Sequence, residues 1–272
     1  MNTVNTRRWR HFKANRRGYV SFIVFMVLFV IALGAEFIAN DRPILVMKGG
    51  ELYLPVWFSY SEQELGGELP TEANYRDPYV IELIEADGWM LWPLVRFSFD
   101  TVDWEIDQPL PAPPGARHLL GTDAMGTDVF AKLLYGFRLS VLFGLTLTLV
   151  SSVIGILVGS LQGYFGGMVD LLGQRFVEIW SGLPILFVLI ILASMVEPNV
   201  YWLLAILSAF SWMALVGVVR AEFLRARNFD FVRAARALGV SNPVIMVRHV
   251  LPNAMVATLT FLPFILNASI AT

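Results

Sequence analysis

From Leu139 to Val169 the chain carries no charged residue. A run of that length is buried either in a large protein core or in lipid. Composition decides between them. The chain is 56% hydrophobic and 15% charged, with a mean hydropathy of +0.62, whereas soluble domains carry about 25% charge. The expected fold class is therefore all-α, a polytopic membrane helix bundle. Within the run, "SVLFGLTLTLVSSVIGILVGSLQG" (140–163) reads as one crossing. It carries Gly144, Ser151, Ser152, Gly155, Gly159 and Ser160, small residues that let helices approach closely in lipid. "GYFGG" (163–167) breaks it.

Four further apolar blocks accompany this one. Tyr19 to Phe37 is about 28 Å long as a helix, enough to cross the hydrocarbon core. A cleaved signal peptide is the other reading, because "LGA" (33–35) resembles a small-residue cleavage site. A short segment with Asp170, Arg175 and Glu178 leads into a crossing at 179–196. Glu197-Pro198-Asn199 reads as a tight turn before another at 200–219, and a last one starts near Ala254. Residues 1–18 hold Arg7, Arg8, Arg10, Lys13, Arg16 and Arg17 and no acid, and 220–248 hold six Arg against two acids. Positive charge gathers on the cytoplasmic side, so both segments are placed there, with the N-terminus inside. Lys132 and Arg138 fall on the other side and run mildly against the rule.

Between Asp41 and Asp128 there are 16 acids against five basic residues, with Trp57, Trp89, Trp92 and Trp104 and the link "PLPAPPG" (109–115). On this topology the region lies outside the cytoplasm. "DGWMLWPLVRFSF" (87–99) is too short to span and belongs in the interface or in a small core. "DTVDWEID" (100–107) lacks the glycine turn of a calcium loop and reads as a solvated acidic loop. The acidic balance and the tryptophans suit contact with a delivery protein, or a decorated spacer.

Catalytic chemistry is hard to place. The chain has no Cys, hence no disulfide framework and no thiolate site. No span carries a mid-depth charge of the kind that ion-coupled transporters use as relays, since Glu36, Glu178 and Glu197 stand at ends. "GTDAMGTD" (121–128) imitates a phosphate loop but has Thr127 and Asp128 where Lys and Ser/Thr are needed. His118, near Asp123 and Asp128, has no second His for a metal or acid–base site. No catalytic residue, metal or bound cofactor is expected, and no nucleic-acid partner. A bundle without an energy source of its own is passive or driven by a partner.

"FVRAARALGVSNPVIMVRHVLPN" (231–253) offers a place for a partner to act. The pattern predicts a helix from Glu222 to Leu238, ended by Gly239, which tolerates a left-handed turn. Asn242 is expected to cap a short second helix with Pro243 at its first position, and Pro252 marks entry to the last crossing. Ala234 and Ala235 add no bulk, so another surface can approach. An amphipathic loop lying on the membrane fits the pattern equally well.

This segment resembles one in the permease subunits of ATP-binding-cassette (ABC) importers: Glu-Ala-Ala, three residues, Gly, nine residues, then Ile-x-Leu-Pro. Here the chain reads Arg233-Ala234-Ala235, then Gly239, then His249-Val250-Leu251-Pro252. Arg233 replaces the family's Glu and His249 its Ile. "HLLGTDAMGTDVFAKLLYGFRLS" (118–140) is similar to the segment before the second helix of dipeptide and oligopeptide permeases, with Thr127 in place of Arg, and "GYFGGMVD" (163–170) to their Gly-Tyr-x-Gly-Gly loop. The long first loop is most similar to that of microcin C and oligopeptide uptake permeases.

The resemblance implies a permease moving peptides or peptide-like compounds across a bacterial inner membrane, not itself an enzyme. It implies a basic N-terminus (1–18), a first span (19–38), a periplasmic loop (39–137) and a permease core (138–272). Within the core, 221–253 is the coupling segment, with Ala234, Ala235, Gly239, Leu251 and Pro252 meeting the ATPase. Gly121, Thr122, Asp123, Gly126 and Asp128 form the family motif before the second helix. Implied partners are a second permease subunit, ATPase subunits that hold ATP and Mg, a periplasmic binding protein and the lipid bilayer. Family members have six crossings, so the natural protein is expected to continue beyond Thr272 by about one loop and one span. Two other readings remain: a secondary transporter or channel, for which Pro184 and Pro263 hint at broken helices, and a membrane-anchored protein working through 40–137.

Overall fold

The computed structural model describes residues 3–197 and 199–271; Pro198, in the expected turn, and Thr272 lie outside the described residues. The chain forms two units, Met1–Leu139 and Ser140–Thr272. In the first, α1 (Thr3–Ala14) is followed by α2 (Arg16–Leu33). Asn15 separates them, its side chain accepting the Gly18 N–H at 3.3 Å. α2 is apolar all round and buried only at Ala32, the pattern of a helix whose solvent is lipid. Gly34 breaks it before α3 (Ala35–Ile38).

A small sheet follows, an addition to the helical expectation. β1 (Leu45–Lys48) and β2 (Glu51–Tyr53) form a hairpin through Gly49-Gly50, with Lys48 paired to Glu51. β3 (Gly88–Leu91) pairs antiparallel on the other edge of β1, giving the order β2-β1-β3. α4 (Pro78–Glu85) starts at Asp77, whose carboxylate accepts the Tyr79 N–H at 2.9 Å, with Pro78 in the first turn. Val80 and Ile84, one turn apart, bury against Val46, Leu65 and Tyr75. The aromatic stretch 87–99 serves two small cores: Met90 and Trp92 pack on this one, while Val95 and Phe97 join Ala32, Ala35, Ala39, Ala131 and Leu134.

α5 (Val129–Phe165) is a single helix of 37 residues, beginning well before the expected start at 140. The crossing expected at 179–196 is a pair, α6 (Gly167–Ser181) and α7 (Ile185–Met195), bent by 65°. Pro184 stands at the bend, where its missing N–H and its ring stop the helix. α8 (Val200–Ser211) and α9 (Met213–Ala226) make one span, started by Asn199, which accepts the Trp202 N–H at 2.9 Å. The helix expected to run from Glu222 to Leu238 is interrupted at 227–229, and α10 (Asp230–Ala237) follows the break. α11 (Asn242–Val244), a π-helical stretch (Ile245–Val250) and α12 (Leu251–Ala271) then form one continuous helical segment. The last crossing thus begins at Asn242, not near Ala254. Among the described residues four helices are long and apolar enough to cross a membrane, or five if the bent pair is one span.

The second unit is held by close backbone approach. Gly155, Gly159 and Gly163 lie against the carbonyls of Trp212, Val216 and Arg220, and an added Cβ would come within 2.7, 2.8 and 2.5 Å of them. Both series advance by four residues in the same sense, so α5 and α9 run parallel with touching backbones. Of the small residues read from the sequence, Gly155 and Gly159 make this seam, while Gly144 abuts Ile270.

Candidate functional site

The segment from α9 to α12 is built outward from a core. Leu215, Val219, Phe223, Ala226, Val232, Ala235, Ile245, Val250 and Ala254 form one buried cluster with Tyr164. α10 turns Val232 and Ala235 into it and leaves Arg233, Ala234 and Arg236 exposed. The two alanines of the motif therefore face opposite ways. Asp230 stands in the first turn of α10, where a negative charge suits the helix dipole. Gly239 follows α10 at φ +80°, the left-handed geometry that only glycine adopts without strain. The second short helix begins at Asn242, with Ser241 rather than Asn242 in the position before it and no side-chain cap hydrogen bond. Asn242 instead accepts a hydrogen bond from the Tyr164 hydroxyl at 2.8 Å.

Tyr164 ties this segment to the end of α5. Its hydroxyl also receives Arg236 Nη2 at 3.2 Å, and its carbonyl receives Arg227 Nη1 at 3.5 Å. Nearby, Arg220 and Asp170 join α9 to α6 through two hydrogen bonds, one of them Nη2 to Oδ2 at 2.7 Å. Pro252 lacks an N–H, and the helix accommodates it with the π-helical stretch just before it. The Asn253 side chain donates to the His249 carbonyl at 2.8 Å beside it. Leu251 is half-buried and Pro252 exposed. The outer surface mixes arginines with apolar side chains, among them Leu238 (83% exposed) and Val247 (64% exposed).

The motif before α5 is gathered into a second, separate cluster. Gly121 has φ +77°, and Thr122 accepts the Ala112 N–H at 2.9 Å through its hydroxyl. Asp123 accepts the N–H groups of Met125 and Thr127 at 2.9 and 3.0 Å and receives Lys132 Nζ at 2.5 Å. The Lys132 ammonium, helped by these N–H groups and opposed by burial, holds the Asp123 carboxyl well below the usual carboxylate range. Gly126 has φ +80° and sits against the Asp103 carbonyl. Asp128 accepts the Ala131 N–H at 2.7 Å, capping α5, and faces His118 Nδ1 at 2.8 Å. His118 Nε2 faces Asp103 at 3.0 Å, and Arg117 closes on the same carboxylate at 2.8 Å.

Both ring nitrogens of His118 therefore face buried carboxylates. Asp103 departs from the solvated acidic loop expected at 100–107: it is 3% exposed. Sequence reasoning placed His118 with Asp123 and Asp128. The structure pairs His118 with Asp128 and brings in Asp103 instead of Asp123. Spacing gave no signal for Asp103, which arrives through the fold of 100–118.

The apolar spans, joined by an exposed segment that is both basic and apolar, describe a polytopic membrane protein. Comparison with known proteins agrees. Residues 130–272 match the family described as binding-protein-dependent transport system inner membrane component, and residues 6–53 match the N-terminal TM domain of oligopeptide transport permease C. The chain is 57% identical over 272 residues to the inner membrane ABC transporter permease protein YejE of Escherichia coli (strain K12), covering 100% of this chain and 80% of that one. It is 51% identical to the peptidoglycan transport system permease protein YejE of Agrobacterium fabrum (98% and 76% covered), and 34% identical to the oligopeptide transport system permease protein OppC of Haemophilus influenzae (65% and 55% covered). The chain belongs to this family of inner membrane permease subunits of ABC importers.

Proposed function

We propose that the chain forms one half of a translocation pathway for peptides or peptide-like compounds, completed by a second permease subunit. ATP hydrolysis takes place in separate cassette subunits, and a periplasmic binding protein delivers the cargo. The names of the relatives, which refer to oligopeptide and peptidoglycan transport, support the cargo class. The N-terminus lies in the cytoplasm. This orientation rests on the basic residues of 1–18 and 220–248, which it places on the same side.

The observation that carries the mechanism is the surface at 230–251. Exposed Leu238 and Val247 stand among Arg233, Arg236 and Arg248 on a segment tied to α5 by Tyr164. Exposed apolar side chains ringed by charge mark an interaction surface. We assign it to the ATPase, with Ala234 and Gly239 at the point of close approach and Leu251 and Pro252 at the entry to α12. Ala235 supports them from the core side. Closure of the ATPase subunits on ATP moves this segment and switches the pathway between its two accessible states.

Ala234→Trp tests this directly, because Ala234 is exposed on a regular helix and the change adds bulk without backbone strain. The expected result is loss of cargo-stimulated ATP hydrolysis in the complex assembled in lipid, with insertion unchanged. Wild-type assembly and hydrolysis in Ala234→Trp would assign 230–251 to the membrane surface instead.

A further inference from the structure

The domain between α3 and α5 holds an open groove of about 930 Å³ between α4 and the strand-to-loop region 92–117. Its size falls within the range of small-ligand sites, about 300–1,000 Å³. One side is cationic. Arg76 and Arg117 both stack on Phe97, 4.4 and 5.6 Å from its ring centre. Arg117 is neutralised by Asp103 and by Glu105, at 2.8 and 2.6 Å. Arg96 is different: it lies 5.2 Å from the Trp92 ring centre, is exposed, and makes no ion pair among the described residues. The other side belongs to α4, where Glu82 and Glu85 sit one turn apart, exposed and also without an ion pair among the described residues. One groove thus presents unpaired charge of both signs with an indole beside the cation. That pattern complements a zwitterion with an apolar middle.

We propose that this groove binds a short peptide by its free termini, the α-carboxylate at Arg96 and the α-amine at Glu82 and Glu85, with a side chain against Trp92. The assignment of a peptide rests on the import function proposed above; the demand for both termini rests on the groove alone. Arg suits the carboxylate because its planar fork matches both oxygens.

The test is calorimetric titration of the full chain in lipid nanodiscs, without ATPase or binding protein, using the tripeptide Ala-Phe-Ala. Acetylation of its amine or amidation of its carboxylate is expected to weaken binding about tenfold each, the loss of one charge-assisted contact. Arg96→Ala abolishes the difference between free acid and amide; Glu82→Gln with Glu85→Gln abolishes the difference between free and acetylated amine. These side chains are exposed and unpaired, so the fold tolerates the changes. No binding of the free tripeptide, or binding indifferent to both blocking groups, overturns the proposal. So does a groove that ignores the tripeptide but is occupied by the substrate-free delivery protein. Uptake of the same tripeptide by the assembled importer in proteoliposomes separates the two ideas. Uptake without groove binding rejects the groove alone, and groove binding without uptake rejects peptide import alone.

Discussion

Tyr164 is 3% exposed, yet its hydroxyl serves Asn242 and Arg236 and its carbonyl serves Arg227. Tyr164→Phe keeps the ring in its core and removes only the hydroxyl, a loss of about 1 kcal/mol. Import per ATP hydrolysed is expected to fall about fivefold while the complex still assembles; an unchanged ratio in proteoliposomes would remove Tyr164 from the coupling path. Asp123 gives a pH dependence. Its carboxyl is held below the ordinary range by Lys132, so the contribution to stability is full above about pH 4 and is lost as pH falls further. Asp123→Asn removes that dependence. In fluorescence-detected unfolding, the stability lost between pH 7 and pH 3 is expected to be smaller in the variant, and equal losses would show that the ion pair is silent.

At the scale of elements, the α5–α9 seam makes the sharpest prediction. Gly159→Leu drives a side chain into the Val216 carbonyl and is expected to cost about 1–3 kcal/mol, read as a lower thermal midpoint in detergent. Gly217→Leu is the control, since nothing lies within 4 Å of its added Cβ; equal effects would refute the seam. Elements dominated by long apolar runs were legible in the sequence, as was Gly239 in its left-handed turn. Boundaries were not. The apolar criterion starts α5 at 140, but Asp128 caps it at Val129 and Lys132 and Arg138 are paired along its first turns. The hairpin had a signal in "LVMKGGELY" (45–53), two glycines between alternating residues, that a search for spans passes over. The break at 227–229 carries no Gly or Pro to announce it, and Pro252 reads as the start of the crossing rather than as the sequel to a π-helical stretch that begins at Ile245.

For the whole molecule, charge placement says more than the net charge of −2. The absence of cysteine allows a clean topology test on single-cysteine variants. Trp104 (89% exposed) and Leu238 (83% exposed) stand in the two regions assigned to opposite sides. In intact spheroplasts a membrane-impermeant maleimide is expected to label Trp104→Cys at once and Leu238→Cys only after permeabilisation. The reverse pattern would invert the orientation. The candidate site was legible to the same uneven degree. The segment 231–253 stood out because its glycine, prolines and arginines interrupt apolar sequence. The unpaired charges of the groove were invisible, because pairing is a property of space and Arg96 reads in sequence like Arg117.

The backbone contact between α5 and α9 also limits which parts of the second unit can move. Two helices already touching along three glycines have no slack to give up between them, so the pair moves only as one rigid body. No residue of α6 or α7 is buried, and the proline bend between them is a ready pivot. Because Arg220 and Asp170 tie α6 to that pair, any change in the bore of the proposed pathway within this unit falls to α7, swinging beyond the proline bend against a partition that keeps its thickness.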